Sequence, residues 1–428
     1  MPAAALLQVQ SGNQSGNNHF MEMNMQFKRK AVALAVAATT AMGAAAPALA
    51  QISGDTVKIG MITDMSGVYA DISGQGGIEA IKMAIADMGG AINGKKIEMV
   101  YADHLQKADI GSSKAREWVD RDGVDLLMAG SNSAVMLAVG KIAAEKKKVF
   151  LIPATGTGRI TNEDCNPYMV HYGYDTVAAA RGTSSAVVKQ GGKSWYYLTA
   201  DYVFGMSLEG DSAKVVKANG GTVIGAARHP LNASDFSSFL MQAQASKAQV
   251  LGFANASNDL VSAIKGANEF GVNKTMKMAV LLMFITDVHA LGLQQTQGLY
   301  STDSWYWDQS PESRAWSKRY FAVMKRMPTA LHASTYSAAM TYLKAVKTLG
   351  TDDSDKVMAY LKKNPVNDMY TSNAMIREDG RLMSDLKLIQ VKTPAESKAP
   401  WDYYKIVQTI PAADAFTTKA ESKCAMWK

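Results

Sequence analysis

Short, predominantly apolar runs alternate along the chain with longer stretches in which apolar residues recur every three or four positions. Residues 57–62, 124–128 and 149–152 are runs of the first kind, which is typical of strands in a parallel sheet. Residues 78–88 have the second pattern, which predicts an amphipathic helix. From residue 57 to residue 152 the alternation therefore predicts an α/β fold with a doubly wound parallel sheet.

The same alternation returns after a predicted link at residues 168–175. It predicts helices at 176–189, 205–218, 236–245 and 259–270 and strands at 194–198, 222–228, 250–253 and 276–282. An aromatic run at 305–307, three helices (314–325, 333–349, 355–362) and a hairpin over 374–391 follow.

These elements predict two Rossmann-like α/β lobes with parallel sheets, joined by a hinge. We expect the first lobe to comprise residues 51–172 and 304–372, and the second to comprise residues 173–303 and 373–428. A protein built in this way binds its ligand between the lobes and closes on it.

Two polar loops follow neighbouring strands of the predicted first lobe. They are Gly130-Ser131-Asn132-Ser133 and Thr155-Gly156-Thr157-Gly158. Because ligands bind beyond the carboxyl ends of parallel strands, the loops predict a site for a small anion or carboxylate. Asn132 and Ser133 also suit the cap of the next helix, so capping alone is an alternative. The N-terminus of that helix would offer free N–H groups to an anion in either case.

Aromatic residues follow two other predicted strands. Tyr69 lies in the segment 64–76, which is either part of the site or a surface loop. Tyr202 and Phe204 follow a strand of the second lobe. We expect one of these two rings in the core and the other at the cleft.

Three more candidates follow the later strands of the second lobe. Asn255 and Asp259 lie in the loop after residues 250–253. Asp259 either caps its helix or accepts a hydrogen bond from a cationic or hydroxyl group of a ligand. Phe284 is either an apolar wall of the cleft or a core residue.

The first 50 residues have the pattern of an export signal. Lys28, Arg29 and Lys30 precede an alanine-rich run at 31–46, and small residues then lead to a predicted cleavage after Ala50. Residues 1–20 look like an over-long start that precedes the signal itself. We expect a periplasmic protein that is released without a lipid anchor, since no cysteine directly follows the cleavage site.

Charge and cysteine content narrow the function classes. The formal charge is +7 for the whole chain and +5 without residues 1–50, and the basic residues are scattered among acids. This distribution disfavours nucleic acid as a partner. In an oxidising compartment Cys165 and Cys424 either pair or remain two separate thiols.

The residues of common catalytic and cofactor sites are missing from the sequence. The six histidines have no metal-ligand spacing, and no serine lies in a G-x-S-x-G motif. The run Gly74-Gln75-Gly76-Gly77 begins like a dinucleotide fingerprint, but Glu79 stands where the third glycine belongs. The sequence therefore predicts a binding protein without a cofactor, a metal or a catalytic centre.

With these residues assembled, the chain resembles the periplasmic solute-binding proteins of branched-chain amino acid ABC transporters. The resemblance covers residues 55–410 and rests on VKIGMITDMSG, GSNSAVMLAV followed by FLIPATGTG, YYLTADYVFG and ASDFSSFL. It implies a type I periplasmic binding fold, with two lobes joined by three crossovers. It also implies a ligand between the lobes and delivery to a permease in the inner membrane.

The resemblance also implies roles for residues at matching positions. The family's loops that hold the ligand carboxylate match Asn132, Ser133, Thr155 and Thr157, with Gly156 between the last two. The family's aromatic contact in the second lobe matches Tyr202 or Phe204. The acid that receives the amino group of the ligand matches Asp259, and the ring that closes the far end of the site matches Phe284. Two features depart from the family pattern. Tyr69 is offset from the family's first-loop tyrosine, with Ile72 at the nominal place, and the local disulfide of the first lobe is missing.

These observations leave three functional hypotheses. The first is a monomeric receptor that captures a small carboxylate, an amino acid or an aromatic acid, for an ABC permease. The second is a ligand-sensing regulator with the same fold. The third, an enzyme, would require a catalytic dyad at the cleft.

Overall fold

The computed structural model describes residues 51–428. The predicted signal segment at 1–50 and its cleavage after Ala50 lie outside the described residues. Within the described part, none of the helices combines the length and the apolar character that a membrane span requires.

The first part of the chain forms a sheet with the order β2-β3-β1-β4-β5-β6, parallel except for the short strand β2. In chain order its elements are β1 (Thr56–Thr63), α1 (Ala70–Asp87), β2 (Ala91–Ile92), β3 (Lys95–Asp103), α2 (Ala108–Asp120), β4 (Leu126–Ala129), α3 (Ser133–Lys146), β5 (Val149–Ile152) and β6 (Met169–His171). All residues of β4 and β5 are buried, as the apolar runs predict. A 3₁₀ turn at Gly158–Thr161 follows β5.

The second part forms a parallel sheet with the order β10-β9-β7-β8. Its elements are α4 (Thr176–Lys189), β7 (Ser194–Ala200), α5 (Val203–Ala218), β8 (Thr222–His229), α6 (Ser237–Ala245), β9 (Val250–Ala254), α7 (Ser257–Glu269), α8 (Val272–Thr275), β10 (Lys277–Val280), α9 (Ile285–Leu291), α10 (Leu293–Thr296) and β11 (Tyr300–Asp303).

The last part returns to both sheets. It contains α11 (Pro311–Met324), α12 (Ala330–Leu349), α13 (Ser354–Lys363), β12 (Met375–Ile376), β13 (Leu382–Met383), β14 (Leu386–Val391), β15 (Tyr404–Ile410), α14 (Ala412–Ala415) and a 3₁₀ turn at Lys419–Glu421. Helix α12 packs on α1 of the first lobe. Strands β11, β14 and β15 form an antiparallel sheet that packs on α4 of the second lobe. The architecture is therefore the expected mixed α/β fold of two lobes.

Three local predictions need correction. Helix α1 begins at Ala70, so much of the segment 64–76 is helix and not loop, although Gly74 departs from helical geometry with ψ −113°. Strand β6 replaces part of the predicted link at 168–175. The predicted hairpin at 374–391 is only the short pair β12 and β13, because β14 pairs with β11 and β15.

The hairpin belongs with the first sheet. Arg381 forms a parallel bridge with His171 in β6, and Ala374 pairs with Val366 after α13. We therefore propose that the third crossing between the lobes lies between β13 and β14, and not near residue 372 as the sequence predicts.

Arg381 fills the region where the chain crosses between the lobes. Its guanidinium is fully buried, lies over the Phe416 ring and donates to the carbonyl of Tyr172 at 3.3 Å. The Asp175 carboxylate lies 3.7 Å from Nη1. Burial lowers the pKa of Arg381 to about 10, and the Asp175 charge opposes that shift. The arginine therefore stays charged at neutral pH and joins the segment after β6 to the C-terminal part of the chain.

The C-terminal tail is fixed to both lobes. Cys424 forms a disulfide with Cys165, at a Cα–Cα distance of 5.7 Å. Glu421 accepts two hydrogen bonds from Arg181 of α4, at 2.6 and 2.7 Å. The tail thus connects the loop after β5 with a helix of the second lobe.

We expect Cys424→Ser to destabilise the protein by about 2–4 kcal/mol, because the disulfide closes a loop of 259 residues in the unfolded chain. Calorimetry with and without a thiol reductant measures this effect. Reductant should lower the Tm of the wild type towards that of the variant and leave the variant unchanged. Equal Tm values of the two proteins without reductant would contradict the stabilising role.

Candidate functional site

A small cavity lies beyond the carboxyl ends of β4, β5, β7 and β9. It holds about 250 Å³ that protein atoms do not fill. Its lining residues come from both lobes: Tyr69, Ile72, Ser131, Asn132, Ser133, Ala154, Thr155, Gly156, Tyr174, Tyr202, Phe204 and Ala256. The figure of 250 Å³ includes open solvent, and the enclosed space amounts to only about 10 Å³. That is room for about one water molecule and far below the roughly 300–1,000 Å³ usual for drug-sized ligands, so a ligand could enter only after the lobes separate.

Asn132 lies at the start of α3 and acts as its cap. Its φ of 82° falls in the left-handed region, which asparagine tolerates better than most residues. Oδ1 accepts hydrogen bonds from the N–H groups of Ala134 and Val135 at 3.0 and 3.1 Å. The amide also donates to Gln106 at 2.5 Å. The capping alternative therefore holds for this side chain, which supports the cavity wall.

Ser133 and Thr155 bring hydroxyl groups to the same wall. Ser133 Oγ accepts a hydrogen bond from the N–H of Thr157 at 3.3 Å, so its own proton remains free to donate. Thr155 Oγ1 donates to the carbonyl of Gly130 at 2.6 Å and can only accept from a ligand. The two polar loops lie side by side through these two bonds.

The backbone of these loops supplies further donors. Among residues 51–428, the N–H groups of Ser133, Thr155 and Gly156 have no acceptor. Ser133 is the first residue of α3, where no preceding helical turn can supply a carbonyl. The positive end of the dipole of this 14-residue helix adds to the same region. This wall of the cavity therefore favours an anionic group.

The other walls are aromatic. Tyr69 and Tyr202 come from different lobes, and their hydroxyl oxygens lie 2.7 Å apart in a hydrogen bond. Burial raises the pKa of both tyrosines above the usual value, so both hydroxyls are neutral at physiological pH. The Phe204 and Tyr174 rings pack against Gly156, where a Cβ atom would lie 2.9 Å from each. Both Tyr202 and Phe204 line the cavity, whereas the sequence predicts only one of them there.

Four residues predicted for the site do not line the cavity. Thr157 Oγ1 instead pairs with Ser207 of α5 at 3.0 Å, which is a second contact between the lobes. Asn255 is fully buried and its Nδ2 lies 3.1 Å from His229 Nε2. Phe284 is buried against Tyr174, with 6.1 Å between ring centroids. These three residues therefore support the site from outside.

Asp259 also lies outside the cavity lining. It is in the first turn of α7, and its Oδ2 accepts a hydrogen bond from the backbone N–H of Asn232 at 3.2 Å. Burial raises the pKa of Asp259 to about 6, and hydrogen bonds from the backbone of Asn232 and Ala233 oppose the shift. The carboxylate thus connects α7 with the loop after β8.

Sequence reasoning did not identify five of the lining residues as contacts: Ile72, Ser131, Ala154, Tyr174 and Ala256. Ser131 and Ala256 stand in strand-end loops that the sequence did single out. Tyr174 follows β6, the strand that the hydrophobic pattern missed. A search for aromatic residues just beyond every possible strand would have found it.

No group of histidine, cysteine, aspartate or glutamate that could hold a metal ion occurs within residues 51–428. The lining residues carry no charged side chain either. Hydrogen bonds, helix electrostatics and ring contacts are thus the interactions that this cavity offers.

Known proteins resemble this chain over nearly all of the described residues. A family model described as periplasmic binding protein matches residues 56–398. The crystal structure of a periplasmic binding protein from Burkholderia mallei is 64% identical, with a TM-score of 0.86, and the match covers 87% of this chain and 100% of the other. A branched-chain amino acid ABC transporter periplasmic ligand-binding protein from Burkholderia xenovorans LB400 is 38% identical, with a TM-score of 0.76 and the same coverage.

More distant matches are similar in fold or over part of the sequence. One is a solute-binding protein of an ABC transporter from Rhodopseudomonas palustris BisB5, solved in complex with 3,4-dihydroxybenzoic acid. It is 22% identical with a TM-score of 0.75, and the match covers 84% of this chain and 98% of the other. At this identity the likeness shows the fold alone. Leu/Ile/Val-binding protein homolog 6 of Brucella abortus is 27% identical over 214 residues, which is 50% of this chain. The chain spans about half the length of the curated relatives it matches.

We expect Gly156→Ala to destabilise the closed arrangement by about 1–3 kcal/mol, because the added methyl group would overlap the Phe204 and Tyr174 rings. Gly210→Ala in α5 is the matched control, since nothing lies within 4 Å of its Cβ position. The control should be neutral or slightly stabilising. Urea unfolding of both variants measures the difference, and equal midpoints would contradict the close approach of the rings.

Proposed function

The chain belongs to the periplasmic binding protein family, and from this premise we propose that it is the substrate-binding component of an ABC uptake transporter. It captures a small carboxylate, an amino acid or an aromatic acid, in the cavity between its lobes and delivers it to the membrane permease. Proteins of this family bind solutes without converting them, so no bond is made or broken. We also propose that it works as a periplasmic monomer and has no nucleic acid partner.

One observation carries the proposal. Three backbone N–H groups without an acceptor, the free Ser133 hydroxyl proton and the N-terminus of α3 converge on one wall of a buried cavity. A carboxylate has two oxygens with about four acceptor positions and a negative charge, which this set of donors complements. The aromatic walls suit the apolar or aromatic body of the same ligand.

The proposed mechanism is capture by lobe closure. A ligand first reaches the donors of the first lobe while the cleft is open. Closure then brings the Tyr202 and Phe204 rings of the second lobe over it and forms the interlobe hydrogen bonds of Tyr69 with Tyr202 and of Thr157 with Ser207. The permease would recognise the closed arrangement of the two lobes.

The ligands of similar proteins support a small carboxylate as the ligand, but they do not distinguish between an amino acid and an aromatic acid. The Burkholderia xenovorans protein is named for branched-chain amino acid transport, and the Rhodopseudomonas palustris protein holds a dihydroxybenzoic acid. Both kinds of ligand present a carboxylate and an apolar body.

We expect a thermal-shift screen of amino acids and aromatic acids to find a carboxylate that raises the Tm. A ligand at about 100 times its Kd stabilises the folded state by about 2.7 kcal/mol. If no small carboxylate raises the Tm, the proposed function is wrong.

Ser133→Ala should weaken binding of the carboxylate found in that screen by about tenfold to a hundredfold, the range for one hydrogen bond to a charged group. Ser238→Ala is the control, because Ser238 is an exposed serine on α6. Isothermal titration calorimetry measures both affinities. Unchanged affinity in Ser133→Ala would show that the carboxylate does not bind at this wall of the cavity.

A further inference from the structure

The cavity contains no group that could neutralise a positive charge. None of its twelve lining residues is acidic. The three lining tyrosines that could supply a negative charge by losing a proton, Tyr69, Tyr174 and Tyr202, are held neutral because burial raises the pKa of each. An ammonium group bound here would therefore have only neutral oxygens as partners.

The acid of the second lobe whose charge acts on both Tyr69 and Tyr202 is already engaged elsewhere. Asp259 is close enough for its charge to raise the pKa of both Tyr69 and Tyr202. Its carboxylate, however, accepts hydrogen bonds from the backbone of Asn232 and Ala233 and does not reach the cavity lining. This arrangement assigns Asp259 to the support of the loop after β8.

The acid of the first lobe whose charge acts on Tyr69 is also engaged in hydrogen bonds within its own loop region. Asp64 accepts hydrogen bonds from the N–H groups of Gly67 and Tyr69 at 2.6 and 2.8 Å and from the Gln106 amide. These bonds fix the loop that carries Tyr69 to its place. Asp64 is likewise absent from the cavity lining, so it offers nothing to a ligand amine.

The paired hydroxyls of Tyr69 and Tyr202, unlike these carboxylates, can form hydrogen bonds with a ligand in the cavity. One of them donates its proton to the other across 2.7 Å, which leaves one O–H free to donate and lone pairs free to accept. A neutral ligand oxygen, such as a hydroxyl or keto group, can use both. A buried ammonium cannot be compensated by such a pair, because its charge would remain unpaired in a low-dielectric site.

We infer that the site selects carboxylates without an ammonium group, that is, hydroxy, keto or aromatic acids whose neutral oxygen meets the Tyr69 and Tyr202 hydroxyls. The inference rests on the proposed function and makes it narrower. It sets aside the role of ammonium receptor that the family resemblance implies for Asp259.

Two matched ligand pairs test the inference on the full exported chain. Mandelate and L-phenylglycine share one skeleton and differ by a hydroxyl in place of an ammonium; the keto analogue of L-leucine and L-leucine form an aliphatic pair. Isothermal titration calorimetry should show that the hydroxy or keto acid of at least one pair binds. The amino acid of the same pair should bind at least about a hundredfold more weakly.

Each outcome of this titration decides something different. Amino acids that bind as tightly as their oxygen analogues, or more tightly, would overturn the inference and leave the proposed function intact. If neither member of either pair binds, the inference is overturned, whereas the proposed function fails only if no small carboxylate in the thermal-shift screen raises the Tm.

Two variants test the roles of Asp259 and Tyr202 separately. Asp259→Asn keeps an oxygen that can accept a backbone hydrogen bond, so affinity for the oxygen-bearing acid should change by less than about threefold. If Asp259 were an ammonium receptor, the same variant would instead abolish amino acid binding. Tyr202→Phe removes one hydroxyl of the pair and should weaken para-hydroxybenzoate by about tenfold while benzoate changes little. Equal losses for the two benzoates would overturn the role of the hydroxyl pair.

Discussion

Within residues 51–428, no protein group accepts a hydrogen bond from the backbone N–H groups of the buried residues Ser133, Thr155 and Gly156, and the rest of the site depends on this constraint. An unsatisfied buried donor costs about 1–3 kcal/mol, so three of them are a substantial deficit. Ser133 lies at the start of α3, where no preceding turn supplies a carbonyl, and Thr155 and Gly156 lie in the loop after β5, beyond the ladder of the parallel sheet. In the proposed function, a bound carboxylate would accept hydrogen bonds from these donors and thereby favour closure of the two lobes.

The surrounding structure keeps these donors in place. Asn132 fixes the start of α3, and Thr155 ties one loop to the other through Gly130. Arg381 joins the segment after β6 to the Phe416 ring, while the disulfide to Cys424 fixes the C-terminal tail to the loop after β5. We propose that the second lobe moves as a unit and brings Tyr202 and Phe204 to a wall that is already formed.

The sequence alone predicts much of this fold because local and tertiary signals agree. The strand at Val149–Ile152 and the helix at Thr176–Lys189 match their predicted bounds. For the helix, Asp175 caps the first turn through the N–H of Ala178, and Gly191 follows the end with a φ of 91°. Such residues define both ends of an element without reference to distant parts of the chain.

Elements that depend on distant contacts could not be predicted in this way. The glycines of α1 suggest a loop, but the structure uses Gly76 for close packing, since a Cβ there would lie 2.4 Å from His332 on α12. Strand β6 has only three residues, too few to show a period, and Tyr174 was missed with it. The polar loops were found by their position after strands, yet which side chain faces the cavity depends on lobe contacts such as that of Thr157 with Ser207.

A crystal structure of the protein with a bound small carboxylate tests the central claim most directly. The account predicts carboxylate oxygens about 3 Å from the N–H groups of Ser133, Thr155 and Gly156, with the ligand body between the Tyr174, Tyr202 and Phe204 rings. A carboxylate held elsewhere, with these three N–H groups still lacking an acceptor, would contradict it.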